Sequence, residues 1–199
     1  MSTIHPASGP FARLKSRGEL PHLYKPGGIY FVTFRLLDAV VPRDHRGIEN
    51  LDELTPEEVV AICEPSLTLG SCALRQPDIG SLVHNAILHF EGERYRLGAW
   101  SVMPNHVHVI FGTCAGYTPS QVLQSWKGFT ARRANQILQR TGAFWKRESF
   151  DHLIRNDKAL EWFVAYVNNN AVDAGLCIEP ANWPYSSAGC NFTPKLFRS

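Results

Sequence analysis

The fold is decided by one stretch of the sequence, Trp100-Ser101-Val102-Met103-Pro104-Asn105-His106-Val107-His108-Val109-Ile110-Phe111. It predicts a strand, a turn at Pro-Asn and a second, buried strand that opens with His-Val-His. Because side chains alternate faces along a strand, His106 and His108 share one face, with Cα atoms ~6.6 Å apart. Both imidazoles can then bind one divalent cation. Two histidines on a sheet face can also serve only as hydrogen-bonding groups.

Length and composition favour a single soluble domain. The chain has 199 residues, of which 44% are hydrophobic and 19% charged, as in ordinary globular proteins. No apolar run approaches the ~20 residues of a membrane span, and we expect no membrane partner. The first residues lack the apolar segment of a secretory signal, and five widely spaced cysteines argue against a disulfide framework. We therefore expect a cytoplasmic protein.

Charge is distributed unevenly along the chain. Residues 44–64 contain seven acidic residues and one basic residue, whereas residues 118–155 contain seven basic and two acidic residues. A basic segment of this kind is typical of a surface that binds a polyanion. An ordinary solvated helix face would have the same composition, so charge alone leaves both interpretations open.

Periodicity and turn signals predict an α+β protein. The predicted strands are residues 29–36, 94–103, 106–112 and 150–154, and the predicted helices start near residues 55, 77, 118 and 157. Apart from the short helix at residue 55, the order is β-α-β-β-α-β-α. We interpret it as a ferredoxin-like core with a central antiparallel sheet. Residues 43–76 are expected to form an acidic insertion after the first strand, on the rim of the core.

The predicted domain organisation is simple. Residues 1–25 form an N-terminal arm, residues 26–176 the folded domain with the 43–76 insertion, and residues 177–199 an irregular C-terminal tail. The last predicted helix contains Tyr166 and, four residues later, Asn170. Positions i and i+4 share one helix face, so both side chains can face the sheet together. A tyrosinate attacks phosphorus when a divalent cation polarises the phosphate, although a half-buried helix tyrosine is the more ordinary interpretation.

Several motifs in order resemble the single-tyrosine transposases of the HUH nuclease superfamily, and REP-associated tyrosine transposases in particular. The resemblance is carried by Leu20-Pro21-His22, residues 28–36, Met103 to Val109, Trp126-Lys127, residues 129–133, Phe144 to Arg147, Phe150-Asp151-His152, residues 166–170, Ala174-Gly175-Leu176 and Trp183 to Ser187. It covers residues 12–190, roughly. One position departs from the pattern, because Ala171 stands where the family usually has proline.

The resemblance implies metal-dependent cleavage and rejoining of single-stranded or hairpin DNA. His106 and His108 match the metal-binding pair, Asn170 the polar residue that completes the metal site, and Tyr166 the nucleophile that becomes linked to a 5′-phosphate. The expected cofactor is Mg²⁺ or Mn²⁺. A different class of function stays open: a hairpin-binding protein that keeps the fold but cuts poorly or not at all.

The expected DNA contacts come from the basic segment. They are Lys127, Arg132, Arg133, Lys146, Arg147 and His152, which we expect to meet phosphates. For His152, a contact to phosphate or a role in ordering the sheet is a better interpretation than metal binding. The sequence does not distinguish a monomer from a homodimer.

Overall fold

The computed structural model describes residues 12–14, 22–41, 54–67, 69–190, 192 and 196. The described strands are β1 (Ala12–Leu14), β2 (His22–Tyr24), β3 (Ile29–Arg35), β4 (Tyr95–Val102), β5 (His106–Thr113) and β6 (Phe150–Ile154). The described helices are α1 (Pro56–Cys63), α2 (Pro77–Leu88), α3 (Pro119–Ile137) and α4 (Asp157–Asp173), with short 3₁₀ turns at Ala73–Arg75 and Pro180–Asn182. No helix in these ranges is long and apolar enough to cross a membrane.

The centre of the molecule is a four-stranded antiparallel sheet with the strand order β4-β5-β3-β6. The predicted α+β class is confirmed by this sheet and the four helices. The pairing of β3 with β5 sets Thr33 opposite His108 and Arg35 opposite His106. One element was not predicted: β1 and β2 form a separate two-stranded sheet within the expected N-terminal arm.

The sheet separates two hydrophobic layers. One face of the sheet carries Val107, Val109 and Phe111 of β5, which pack with α2 and α3. We call it the opposite face, because it lies opposite the face that carries the two histidines. The alternate residues of β5, His106, His108 and Ile110, point to the histidine face, as period-two alternation requires. Ile110 packs there with residues of α1 and α4. The helices therefore divide into two pairs, α2 with α3 and α1 with α4, one pair on each side of the sheet.

Local sequence signals account for the helix boundaries. Thr55 and Thr118 each close a capping box with the residue three positions later, and proline follows each of them at the first helical position. Asn156 caps α4 by accepting a hydrogen bond from the backbone of Ala159. Helix α4 continues to Asp173, past the expected end at residue 170, because Ala171 permits helix where proline would break it.

The described part of the 43–76 segment has one side in the core, while its acidic first turn is exposed. Val59 and Cys63 of α1 are 0% and 1% exposed, and both pack in the layer beneath the histidine face. Residues 42–53 and residue 68, which include several of the acidic side chains, lie outside the described residues. The described part of the tail packs against the sheet edge, where the Val102 N–H donates to the Tyr185 carbonyl at 2.9 Å.

Candidate metal centre and nucleophilic tyrosine

His106 and His108 converge as the His-x-His spacing predicts. Both side chains are fully buried, and their Nε2 atoms lie 3.0 Å apart. Each Nδ1 has its own partner on the protein side: Asn105 Oδ1 at 2.8 Å from His106, and Thr33 Oγ1 at 2.7 Å from His108. The two Nε2 atoms are therefore aimed at the same small volume.

The hydrogen bonds fix which ring nitrogens carry protons. The Asn105 amide nitrogen donates to the Ser66 carbonyl at 2.7 Å, so its oxygen faces His106 and can only accept. The Thr33 hydroxyl donates to Cys63 Sγ at 3.4 Å, which leaves its oxygen to accept from His108. Both Nδ1 atoms thus carry the proton, and both Nε2 atoms present a lone pair, as a metal-ligating imidazole must.

A third candidate ligand, Glu64, comes from the segment whose role the sequence did not predict. Its Oε1 lies 3.2 Å from His106 Nε2, and its Oε2 lies 2.8 Å from His108 Nε2. Glu64 is the C-cap residue of α1, so the packing of that helix sets the position of the carboxylate. Among the described residues, Glu64, His106 and His108 form the one group of side chains able to hold a metal ion.

The donor set fits a divalent cation. Four lone-pair atoms, the two Nε2 atoms and the two oxygens of Glu64, face one another, and such an arrangement repels unless a cation, a proton or a metal ion, lies among them. Ligands ~2.1 Å from an octahedral ion are about 3 Å apart along each edge, and the observed separations are 2.8, 3.0 and 3.2 Å. Imidazole nitrogens with a carboxylate suit borderline and hard divalent ions.

Tyr166 reaches this centre from α4. Its hydroxyl donates to Glu64 Oε2 and lies 3.4 Å from His108 Nε2. Phe31 packs against the edge of the phenol ring and Trp162 stacks on its face. The structure therefore brings together three of the predicted site residues, His106, His108 and Tyr166.

Asn170 occupies the position expected from the i, i+4 spacing. Its amide nitrogen donates to the Tyr166 hydroxyl at 2.9 Å. Its Oδ1 is buried and has no hydrogen-bond partner among the described residues. A buried carboxamide oxygen without a partner is costly, and a cation at the centre would satisfy it. The prediction that Asn170 completes the metal site is untested by these contacts, but its free oxygen fits that role.

Burial and charge set the protonation of the site. Burial raises the pKa of Tyr166 far above its ordinary value, and the neighbouring Glu64 carboxylate raises it further. Burial also opposes ionisation of Glu64, but a proton shared with His106 and His108 attracts the carboxylate, outweighs burial and holds the pKa of Glu64 below its usual range. Burial lowers the pKa of His106. The protein alone thus keeps the tyrosine neutral and the carboxylate charged.

Arg35 is a further polar residue that sequence reasoning missed. It pairs with His106 across the β3–β5 ladder, on the histidine face. Its Nε is buried without a hydrogen-bond partner among the described residues, and burial lowers the pKa of the guanidinium. The signal that could have found it is period-two spacing from Phe31 and Thr33 on the predicted first strand.

The predicted DNA-binding residues are spread over both sides of the sheet. Arg132 and Arg133 are exposed on α3, behind the opposite face. Lys127 donates from Nζ to the Arg147 carbonyl at 2.8 Å and to Ser149 Oγ at 2.9 Å. Burial lowers the pKa of Lys127 to about 8. The structure therefore gives Lys127 a role in joining α3 to the chain before β6.

The remaining members of that set are Lys146, Arg147 and His152, and of these His152 contacts the cluster behind the histidine face. The Lys146 backbone N–H donates to the Arg35 carbonyl at 2.9 Å, and Arg147 is exposed beside it. His152 of β6 is paired with Phe31 of β3, and the centroid of its ring lies 5.7 Å from that of Phe163. It is not a member of the group formed by Glu64, His106 and His108.

Comparison with known proteins agrees with this geometry. Residues 77–170 match the family model described as "Transposase IS200 like". The resemblance to REP-associated tyrosine transposases is confirmed. The matched segment contains His106, His108, Tyr166 and Asn170, whereas Glu64 precedes it.

The curated relatives are distant. The chain is 24% identical to the REP-associated tyrosine transposase of Escherichia coli (strain K12) over 107 residues, which are 53% of this chain and 62% of the relative. It is 27% identical to the corresponding protein of Haemophilus influenzae over 96 residues, which are 43% of this chain and 54% of the relative. The matches thus span less than two thirds of the length of either relative.

A solved structure shows the same fold. It is the structure of a REP-associated tyrosine transposase bound to a REP hairpin, with a TM-score of 0.57 and 22% sequence identity. The similarity covers 86% of this chain and 82% of that one.

Proposed function

We propose that this protein is a metal-dependent transposase that cuts and rejoins single-stranded DNA through a phosphotyrosine intermediate on Tyr166. One observation carries the proposal: the Tyr166 hydroxyl lies within hydrogen-bonding distance of a carboxylate that also contacts the lone-pair nitrogens of His106 and His108. A structural tyrosine does not require a set of converging metal ligands. The IS200-like family match over this segment supports the same activity.

The metal would be held by His106, His108 and Glu64, with the free oxygen of Asn170 available to it. When bound, a divalent ion such as Mg²⁺ or Mn²⁺ polarises the scissile phosphate and favours attack by an oxygen nucleophile. Asn105 and Thr33 keep the imidazoles in the ligating tautomer. Asn170 donates to the Tyr166 hydroxyl and so orients the phenol toward the sheet.

The chemical step exchanges one phosphoester for another. The Tyr166 Oη attacks phosphorus, the Oη–P bond forms and the P–O3′ bond breaks. The phenolic proton leaves to solvent, and the departing 3′-oxygen takes up a proton to become a free hydroxyl. The strand downstream of the cut stays joined to Tyr166 through its 5′-phosphate. Attack by another 3′-hydroxyl reverses the step and rejoins DNA without an external energy source.

Hairpin-containing DNA is the proposed substrate. The relatives that match this chain are REP-associated transposases, and the structural neighbour was solved with a REP hairpin. Three exposed arginines supply positive charge on the surface, Arg132, Arg133 and Arg147. Positive charge attracts a nucleic-acid backbone.

Covalent trapping tests the proposal. The wild-type protein is incubated with a labelled single-stranded hairpin and Mg²⁺ or Mn²⁺, and adducts are resolved under denaturing conditions and mapped by mass spectrometry. We expect one adduct, on Tyr166. Tyr166→Phe should abolish it while DNA binding persists, and Tyr117→Phe, a matched change away from the site, should retain it.

Two results would overturn this function. An adduct mapped to another tyrosine removes Tyr166 from its role. Binding of the hairpin without any adduct, at every metal concentration, favours the alternative of a hairpin-binding protein that does not cut. Loss of the adduct in both His106→Ala and His108→Ala, with the fold intact, is the expected result for the metal centre.

A further inference from the structure

A cavity lies on the other side of the sheet from Tyr166, between α2 and α3. Its volume is about 760 Å³, within the usual range for ligand sites. The residues that matter for its chemistry are Asn85, Phe90, Arg94, Gln124, Phe129 and Arg132. The cavity shares none of its lining residues with the metal centre. It is therefore a separate feature of the surface.

The lining of the cavity is complementary to an anion. Arg94 and Arg132 contribute two permanent positive charges, and no lining residue is acidic. An arginine binds phosphate through a planar, bidentate fork of N–H donors. A cavity with this charge selects a ligand that carries phosphate over a neutral or cationic one.

Flat surfaces beside those charges suit a nucleobase. Phe129 is 46% exposed although it is large and apolar. The Arg94 guanidinium lies 3.4 Å from the centroid of the Phe90 ring, so a planar cation is already stacked on an aromatic face. Unpaired bases stack on aromatic rings and arginine planes in this way. The exposed amides Asn85 and Gln124 can donate to and accept from the edge of a base.

We propose that this cavity holds one unpaired nucleotide of the DNA strand, with its base against Phe129 and its phosphate beside Arg132. The proposal rests on the function inferred above, because it takes DNA as the substrate. The sheet lies between the cavity and Tyr166, so the bound nucleotide is an anchor that positions the strand. It takes no part in the phosphoryl transfer.

A pair of neighbouring arginines provides the test. Arg132 lines the cavity, whereas Arg133 lies next to it on α3 and donates to Gln136 at 3.0 Å. Arg132→Gln and Arg133→Gln remove the same charge from the same exposed helix. The affinity of the full-length protein for a fluorescent hairpin with single-stranded flanks is measured by anisotropy at fixed salt. Phe129→Ala is measured beside them, because it removes the stacking surface without changing charge.

The expected result is specific to the cavity. Loss of base stacking is worth ~1–3 kcal/mol, or roughly 5- to 150-fold in affinity, and Phe129→Ala should fall in this range. Arg132→Gln should weaken binding at least about fivefold more than Arg133→Gln. DNA substituted with iododeoxyuridine should crosslink under ultraviolet light to the peptide that contains Phe129.

Other outcomes would overturn the proposal. Equal losses for Arg132→Gln and Arg133→Gln, or no loss for Phe129→Ala, indicate a general basic face and no base-binding cavity. Competition by free deoxynucleoside monophosphate that depends on Arg132 would identify a small-molecule site and not a strand anchor. If wild type forms the Tyr166 adduct but these variants bind normally, this inference fails and the proposed function stands. A crosslink at Phe129 without any adduct on Tyr166 would support the base-binding cavity and contradict the proposed cleavage activity.

Discussion

At the scale of single residues, Asn105 connects the parts of the metal centre. Its side chain is fully buried, and its amide nitrogen donates to the Ser66 carbonyl at 2.7 Å and to the Leu69 carbonyl at 3.4 Å. Its oxygen accepts from His106 Nδ1 at 2.8 Å. Asn105 therefore fixes the tautomer of one ligand and tethers the loop that follows Glu64, although it binds no metal itself.

We predict that Asn105→Ala lowers the affinity for Mn²⁺ by about 10-fold or more, since loss of an outer hydrogen bond to a ligating histidine typically costs that much. The measurement is calorimetric titration of the folded protein, with cooperative unfolding checked first. Asn169→Ala is the control, because Asn169 lies on the exposed side of α4 and its side chain donates to the Ala165 carbonyl within the same helix. Asn105→Asp is a second variant that keeps the acceptor but loses the donor. Unchanged Mn²⁺ affinity in both Asn105 variants would contradict this role.

Lys127 gives a pH-dependent prediction. Burial lowers the pKa of its ammonium to about 8 in the folded protein, whereas the pKa in the unfolded chain is ~10.4. Between these values the unfolded state binds more protons, so the free energy of unfolding rises with pH through this window. Lys127→Met removes the titrating group and should reduce this increase in the free energy of unfolding by roughly 1–2 kcal/mol. Denaturant unfolding of both proteins at about pH 7 and about pH 9.5 measures the difference. Parallel pH dependence would show that Lys127 titrates normally.

The sequence predicted the site residues that local periodicity places. Period two puts His106 and His108 on one face, and the helical repeat brings Tyr166 and Asn170 together. Glu64 was missed because it lies 42 positions before His106, at a helix end that carries no periodic signal. Only the packing of α1 beneath the histidine face brings its carboxylate to the centre.

At the scale of elements, α1 is the support of that carboxylate. Its inner residues Val59 and Cys63 are buried, its first turn is closed by Thr55, and Glu64 is its C-cap. The metal centre therefore depends on a helix of only eight residues. Such short helices are marginal alone, so capping and packing together decide whether α1 forms.

We predict that Thr55→Ala weakens metal binding without touching a ligand. Loss of the N-cap costs ~1 kcal/mol, and fraying of α1 should move Glu64 and lower Mn²⁺ affinity several-fold. Thr118→Ala is a matched control. Its hydroxyl accepts at 3.3 Å from the backbone of the residue three positions later, as that of Thr55 does, but it caps α3 on the other side of the sheet. Equal Mn²⁺ affinities in the two variants would show that α1 does not position the ligand.

The main elements could be predicted because each carries its own local signal. The strands of the central sheet alternate or are continuously apolar, and the helices begin at capping residues. The β1–β2 pair was missed because each strand has only three residues, too few for a period to be recognised. The buried side of α1 was missed for a different reason: its acidic first turn is exposed and suggested a surface element, whereas Val59, Ile62 and Cys63 are buried.

At the scale of the whole molecule, the sheet separates chemistry from one of the basic surfaces. The metal centre and Tyr166 lie on the histidine face with α1 and α4. Arg132 and the cavity lie with α2 and α3 behind the opposite face. A DNA strand that contacts both the metal centre and the cavity must pass around the edge of the sheet. The cavity lining and the group formed by Glu64, His106 and His108 have no residue in common, so the effects on free energy of changes in the two should add.

This separation predicts that Arg132→Gln changes DNA binding alone and that Tyr166→Phe changes cleavage alone. Arg132→Gln should reduce the slope of log affinity against log salt by about one unit, because one phosphate contact is lost. At saturating DNA its yield of covalent adduct should match wild type. Tyr166→Phe removes one oxygen and no charge, so its salt slope should be unchanged while its adduct disappears. The slopes are obtained by anisotropy over a salt series, and the double variant should show both effects unaltered. A cleavage defect in Arg132→Gln that persists at saturating DNA would mean that the two layers are coupled, against the arrangement described here.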